Sequence, residues 1–393
     1  MGKRMSAGGS DKPGARRIFL EGPALERERE FLFWLCQAPW LGAVSIRKIG
    51  EAAGSFEKAY YMEGEELKER GIFRGSQSAA RYEEWKKEFS AQREAYYGLS
   101  ERGIWFVTPL DREYPERLLH IYDYPMGLYV KGRLPDSQRP AAAVVGARSC
   151  SSYGGRAAGR MARELAEAGV QIISGLALGI DGEAHRGALE GGGETFAVLG
   201  CGVEICYPKS HGHLFERILE RGGVISEYPP VEQPLSWHFP VRNRIISALS
   251  DAVLVMEARE KSGSLITAET GLEQGKEIFA LPGRITDPLS RGCNQLIQDG
   301  ANLLVSSAQV LEAMGIFREK MEVSGRKEHK GLAKIEKMVY SCLDSEPRHP
   351  EVIAAAAGLS VSQTMGILLE LELAGWAVRT DGLYYGRGEA EEV

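Results

Sequence analysis

The chain has few cysteines, no long apolar run and no excess of positive charge, and each shortage removes a class of protein. Six cysteines in 393 residues, spread from Cys36 to Cys342, are too sparse for a disulfide framework. Reduced thiols are expected. Cys201 and Cys206 have no second CxxC, and together with His211 and His213 they match no standard zinc spacing, so no metal and no cofactor is predicted. No window approaches the roughly 18 uninterrupted apolar residues of a membrane helix, and the first residues carry no secretory apolar stretch. The expected location is cytoplasmic, with no membrane partner. Forty-eight Lys and Arg against 54 Asp and Glu give a formal charge of −6, which excludes a diffusely basic nucleic-acid coat while leaving room for a local basic groove. Neither GxGxxG nor GxxxxGK[ST] occurs, so neither a dinucleotide nor a P-loop triphosphate is signalled.

What remains is an ordinary globular composition, 44% apolar and 26% charged, long enough for two or three domains, with 47 glycines as its outlier. Residues 1–17 read as a flexible tail. Residues 18–100 carry short helical periods separated by Gly42, Gly50, Gly54, Gly64 and Gly71, a pattern that fits a small SAM-like or helix-hairpin-helix-like domain. Such a module either offers amides to DNA phosphates or packs against protein. Residues 101–139 read as a connecting segment. Across 140–315 short apolar runs alternate with helical stretches: Ala141–Val145, Val170–Ile173, Thr195–Leu199, Val224–Ser226, Ala252–Met256, Glu277–Leu281 and Asn302–Val305. Nearly continuous apolar runs of this kind are strands covered on both faces, and the alternation predicts an α/β, Rossmann-like, doubly wound parallel sheet. A charged linker at 316–330 leads to three helices and a hairpin around Asp381–Gly382 in residues 331–388, a winged-helix pattern.

The glycines cluster where the strands end. GARSCSSYG follows the first strand, SGLALGID the second, GCGVEICYPK the third, EAREKSGSLIT the run Ala252–Met256, and PGR the run Glu277–Leu281. In a doubly wound sheet these loops converge on one crevice beside helix N-termini, which predicts an anion site. Arg148, Lys209, Arg242 and Arg244 project from several of these loops, and dispersed cations suit successive phosphates better than one compact ligand. Catalytic groups are harder to find. Asp181 and His185, four apart, could form an acid/base pair or could be a helix cap and a packing residue. Ser264 and Thr267 have no evident base, and hydroxyls at a helix start bind phosphate or cap it. His238, between Trp237 and Phe239, is either structural or a base-stacking group.

The same loops, in order over 140–312, resemble the DprA/Smf family of bacterial DNA-processing proteins: VVGARSCSSYG, SGLALGIDGEAHRGAL, VLGCGVEICYPKS, ISEYPP, FPVRNRIISALSDAVLVMEA, KSGSLITAE and ALPGRITDPLSRGCNQLIQDGA. The resemblance implies a non-enzymatic, single-stranded DNA-binding protein of natural transformation and recombination that protects incoming strands and helps load RecA recombinase. It assigns phosphate binding to Arg148, Ser149, Ser174, Gly175, Gly179, Lys209, Arg242, Asn243, Arg244, Ser262, Gly263, Ser264 and Thr267. It also implies a homodimer joined through the later part of the Rossmann-like domain, where Leu296, Ile297 and Leu303 lie, although ordinary core packing accounts for those residues equally well. The sequence departs from many relatives at Ser210–His211–Gly212–His213 after YPK, and at Glu269, an acid near the phosphate loops. The alternative is a phosphoribohydrolase resembling the lysine-decarboxylase-like group. Those enzymes carry PGGxGTxxE where this chain has SGSLITAET, with Thr270 at the expected carboxylate position.

Charge adds a further expectation. Residues 140–312 hold 15 Lys and Arg against 20 Asp and Glu, so the cations must be concentrated at the crevice. The third helix of the last domain, Val361–Leu373, contains Glu370 and Glu372 and no Lys or Arg, which suits it poorly to a phosphate-lined major groove. That helix is predicted to contact protein or its own chain, not duplex DNA.

Overall fold

A proline at its first helical position opens α1 (Pro23–Cys36), and its second half is apolar on every side: Phe31, Leu32, Phe33, Trp34 and Leu35 are all buried. Such a helix needs cover all round. In the computed structural model, which describes residues 21–316, 334–344, 347–380 and 382–388, that cover comes from two cores. Phe31, Leu32, Trp34 and Leu35 face α2 (Ala43–Ala53), α3 (Phe56–Tyr61), α4 (Gly64–Glu69) and α5 (Ser76–Lys86), while Phe33 joins Leu99 of α6 (Phe89–Glu101) on the sheet side. Trp34 and Trp85 each donate the indole N–H to the other's backbone carbonyl at 3.0 Å. The expected tail at 1–17 and all but the first residue of the expected linker lie outside the described residues.

The chain forms two compact units, 1–317 and 318–393. The sheet of the first has nine strands. All seven expected runs form strands: β3 (Ala141–Val145), β4 (Gln171–Ser174), β5 (Thr195–Val198), β6 (Gly223–Ser226), β7 (Ala252–Val255), β8 (Glu277–Ala280) and β9 (Asn302–Leu303). The expected parallel arrangement holds from β6 to β9, but the expected connector at 101–139 needs correction, because it extends the sheet with β1 (Trp105–Val107) and β2 (Leu128–Gly132). β2 pairs antiparallel with β6 and β1 antiparallel with β2, and the order is β1-β2-β6-β5-β4-β3-β7-β8-β9. Strand pleating explains the apolar runs. Ala141, Ala143 and Val145 enter one core with Val253 and Val255, while Ala142 and Val144 enter the opposite core with Ala252 and Leu254. The second core also takes buried residues of α7 (Ser152–Glu167), α8 (Ile180–Glu190) and α13 (Ser307–Ala313). On the first face lie residues of α10 (His238–Ala248), α11 (Gly263–Glu273) and α12 (Arg291–Gln298), and α9 (Gly212–Arg221) packs near the N-terminal helices.

The second unit comprises α14 (Lys334–Ser341), α15 (Pro350–Ala357), α16 (Val361–Leu373) and the antiparallel pair β10 (Ala377–Thr380) and β11 (Tyr384–Arg387). This is a winged helix. Ser360 and Gln363 form a reciprocal capping box that starts α16. Val339 of α14 and Leu343 just after it are buried, while Ile335 of the same helix is exposed. Asp381 of the expected turn lies outside the described residues. Among the described residues no single helix is long and apolar enough to cross a membrane.

Candidate nucleic-acid interface

Strand order explains where the loops meet. From β3 the chain steps outward through β4, β5 and β6, then returns to the far side of β3 as β7 and moves outward again through β8 and β9. The topological switch therefore falls between β3 and β7, the position at which doubly wound sheets open a crevice. Around it stand the loops 146–151, 175–179 and 256–262.

The first two loops touch through their backbones. Gly179, the residue before α8, has φ +72°, and a Cβ there would lie 2.4 Å from the Ala147 carbonyl oxygen and 2.6 Å from that of Arg148. Only glycine fits. The Ile180 amide donates to the Ala147 carbonyl at 3.2 Å, which fastens the two loops together. Among the described residues the amides of Arg148, Ser149, Leu178 and Gly179 make no hydrogen bond, so this joint presents unpaired donors.

Two other amide sets are already occupied by the protein's own carboxylates. Asp181, buried, accepts from the amides of Gly175 at 3.1 Å and Ala177 at 3.4 Å, so the helix cap expected of Asp181 is replaced by a loop clasp one turn back. Burial raises its pKa, against the lowering pull of Arg242 and the two amides. At the start of α7 the buried Glu257 carboxylate accepts from the Ser151 amide at 2.8 Å and from the Ser151 hydroxyl, which in turn accepts from the Gly154 amide. That helix N-terminus holds an internal anion, which uses the amides a nucleotide phosphate would otherwise take.

The thirteen predicted contact residues separate by burial and partner. Arg148, Ser149 and Lys209 are exposed, and neither Arg148 nor Lys209 forms an ion pair among the described residues. Ser174 leaves the set: it is fully buried and its hydroxyl donates to the Val144 carbonyl at 2.6 Å. Gly175 serves packing, because a Cβ would come within 1.7 Å of the Arg242 Nη1, and its amide is held by Asp181. Arg242 is buried beneath that glycine, donating to the Val198 carbonyl at 2.8 Å, and burial lowers its pKa while Asp181 opposes the shift. It adds positive potential from below without reaching solvent. Arg244 departs furthest from expectation. Its Nη2 bridges both Glu227 oxygens at 2.9 and 2.8 Å, and its Nε meets Asp123 at 2.9 Å. Two carboxylates neutralise it. Asn243 donates to the Gly263 carbonyl at 3.2 Å and so ties α10 to the start of α11. Ser262 caps α11 and pairs with the Ser264 hydroxyl at 2.7 Å; Gly263 is exposed, Ser264 is buried and Thr267 almost completely so.

Aromatic rings complete the rim. The Arg148 guanidinium lies over Phe239, 4.8 Å from its centroid, and Tyr207 meets the same ring at 5.8 Å. Tyr207 is 42% exposed and stands two residues before Lys209; Trp237 is 60% exposed. The sequence offered Phe239 only as a neighbour of His238, and nothing marked Tyr207 beyond its place in YPK. His238 itself is structural: it is buried, it stacks on Tyr228 at 3.7 Å, and its Nδ1 lies 3.1 Å from the Gly200 carbonyl. His185 does not pair with Asp181. Its Nδ1 lies 2.7 Å from the Thr195 hydroxyl, which donates to the Ile172 carbonyl at 2.9 Å, so Nδ1 carries the ring proton. The departure after YPK also has a place: His211 is buried against the Leu176 carbonyl at 3.1 Å, while His213 is exposed. Leu176 has φ +56°, unusual for a residue with a side chain.

Comparisons with known proteins agree with the loop pattern. Residues 105–315 match the family model of the DNA recombination-mediator protein A, and residues 327–382 match that of the DprA winged helix domain. The chain is similar to the DNA processing protein DprA of Streptococcus pneumoniae, 48% identical over 202 residues that cover 51% of this chain and 71% of the relative. It is also similar to the protein Smf of Escherichia coli, 42% identical over 285 residues, 71% of this chain and 76% of that one. The X-ray structure of DNA processing protein A from Streptococcus pneumoniae superposes with a TM-score of 0.63 at 37% identity, covering 72% of this chain and 97% of that chain.

Proposed function

This chain belongs to the DNA recombination-mediator protein A family, and from that membership we propose that its crevice binds single-stranded DNA and presents the strand to RecA recombinase. The observation that carries the reading is the juxtaposition of exposed, unpaired Arg148 with the Phe239 and Tyr207 rings, close in sequence to exposed Lys209. Cations that track a backbone beside rings that stack bases form a single-strand site with little sequence preference. The unpaired amides of Arg148, Ser149, Leu178 and Gly179 supply further donors to phosphate.

The reading needs no chemical step. Asp181 accepts from the Gly175 amide, His185 bonds the Thr195 hydroxyl, and Thr267 is buried. The protein is proposed to protect and deliver a strand without transforming it. A homodimer through the outer part of the sheet fits the same proposal. Edge strand β9 exposes Leu303, and Val305 just after it is 61% exposed, whereas Leu296 and Ile297 pack partly on the core.

The test is a titration of the full chain with a mixed-sequence single-stranded oligonucleotide and with the matching duplex, using wild type, Arg148→Ala and Lys209→Ala. Tighter binding of the single strand, lost in both variants, is expected. Binding unchanged in both variants would overturn the site.

A further inference from the structure

The winged helix carries an apolar surplus that its own core does not use. On α16 the core takes Thr364, Leu368 and Leu371, all buried. A second row on the same helix, Val361, Met365, Leu369 and Leu373, recurs every four residues: Val361 is 44%, Leu369 53% and Leu373 82% exposed, and Met365 is partly buried at the row's inner edge. Single exposed apolar residues are ordinary, but an unbroken i, i+4 row is a ridge of the kind that seats in the groove of a facing helix. Ser362 and Gly366 alternate with it, which lets a partner's backbone come close.

Charge selects among occupants. Glu370 and Glu372 lie beside the ridge, and the helix has no Lys or Arg. Duplex phosphates are repelled by such a face. A second copy of the same face would set these glutamates against their equivalents, which disfavours a symmetric pair. The complementary surface is apolar with basic flanks. We propose that α16, the helix that reads DNA in other winged-helix proteins, here docks a basic amphipathic helix of another protein, with Leu369 and Leu373 as its apolar anchors and Glu370 and Glu372 as its charge selectors.

The probe is a synthetic helix with Leu at i, i+3, i+4 and i+7 flanked by Lys, compared with the same peptide flanked by Glu, each titrated against the full chain. The Lys peptide is expected to bind in a salt-dependent way and the Glu peptide to bind at least about tenfold more weakly, a difference of about 1.4 kcal/mol. Leu369→Ser with Leu373→Ser should weaken the Lys peptide at least about tenfold, and Glu370→Gln with Glu372→Gln should remove most of the salt dependence. Because all four side chains are substantially exposed or flank the exposed row, thermal unfolding of the variants should match wild type, which separates a lost surface from a lost fold. Equal binding of the two peptides, or binding indifferent to the leucine changes, overturns the proposal. So does self-association of wild type that the leucine changes abolish, which would give the ridge to a second copy, or wild-type adsorption to phosphatidylcholine vesicles that they abolish, which would give it to a lipid surface.

Discussion

Replacing Arg244 by alanine should damage stability and spare DNA binding, the reverse of what its place in a cationic motif suggests. The side chain is 11% exposed and meets Glu227 through two contacts and Asp123 through one. Glu227 is 22% exposed, so removing its partner leaves a largely buried carboxylate short of charge-assisted bonds, a cost of about 1.5–3 kcal/mol. Asp123 is half in water, and its share is about 0.2–1 kcal/mol. Together these give about 2–4 kcal/mol. For a unit of this size that is a fall in thermal midpoint of roughly 3–6 °C. Thermal and urea unfolding of the full chain measure it, and a single-strand titration well below the transition should stay within about twofold of wild type. An Arg244→Ala protein of unchanged stability that binds DNA poorly would refute this reasoning, because it would make Arg244 a free cation.

Three further outcomes follow from the same geometry. Burial, then the charges of His211, Arg242 and Arg186, push the His185 imidazole down to about 3. The unfolded chain, with a histidine pKa of about 6.5, binds a proton that the fold excludes, so stability is full above about pH 6.5 and falls as pH drops toward 3, by up to about 1.4 kcal/mol per pH unit. Asp181, whose pKa is raised, works in the opposite sense and trims the slope; His185→Gln should flatten the urea midpoint between pH 7 and 4.5, and curves parallel to wild type would count against it. Gly179→Ala forces a side chain into a glycine-only conformation and against two carbonyls, so thermal midpoint and oligonucleotide affinity should fall together; an unchanged protein would show that the loop joint is loose. Phe239→Leu keeps apolar bulk but removes the stacking face, and a loss of about 1–3 kcal/mol per stacked base corresponds to a drop in single-strand affinity of about 5- to 150-fold by titration; full affinity would remove the ring from the site.

Much of the fold was legible because it rests on local signals. The strands β3 to β8, buried almost throughout, write themselves as apolar runs, and β3 does so with five buried residues in succession, whereas the two residues of edge strand β9 are exposed. The two missed strands lack that signal: β1 has only three residues, one of them exposed, and β2 follows Pro125 and Gly127 and is a strand by virtue of pairing with β6. The site was legible by residue type and not by partner. Arg148 and Arg244 look alike in a motif, yet Glu227 and Asp123 reach Arg244 from 17 and 121 positions away, while Arg148 meets a ring. Ser149 and Ser174 differ in the same way, one exposed and the other bonded under the sheet. Glu257, which fills the α7 N-terminus from 106 positions away, gave no sign in sequence that the first helix start was occupied.

The salt dependence of single-strand binding tests the central claim most directly. Each phosphate contact to a single strand contributes about 0.7 to the slope of log affinity against log salt. Arg148→Ala and Lys209→Ala should each reduce the steepness by about that amount, additively in the double variant and at unchanged thermal midpoint, while Arg244→Ala leaves the slope alone. If the Arg148 and Lys209 variants keep the wild-type slope, or if Arg244→Ala is the one that flattens it, the crevice proposed here is not where the strand binds.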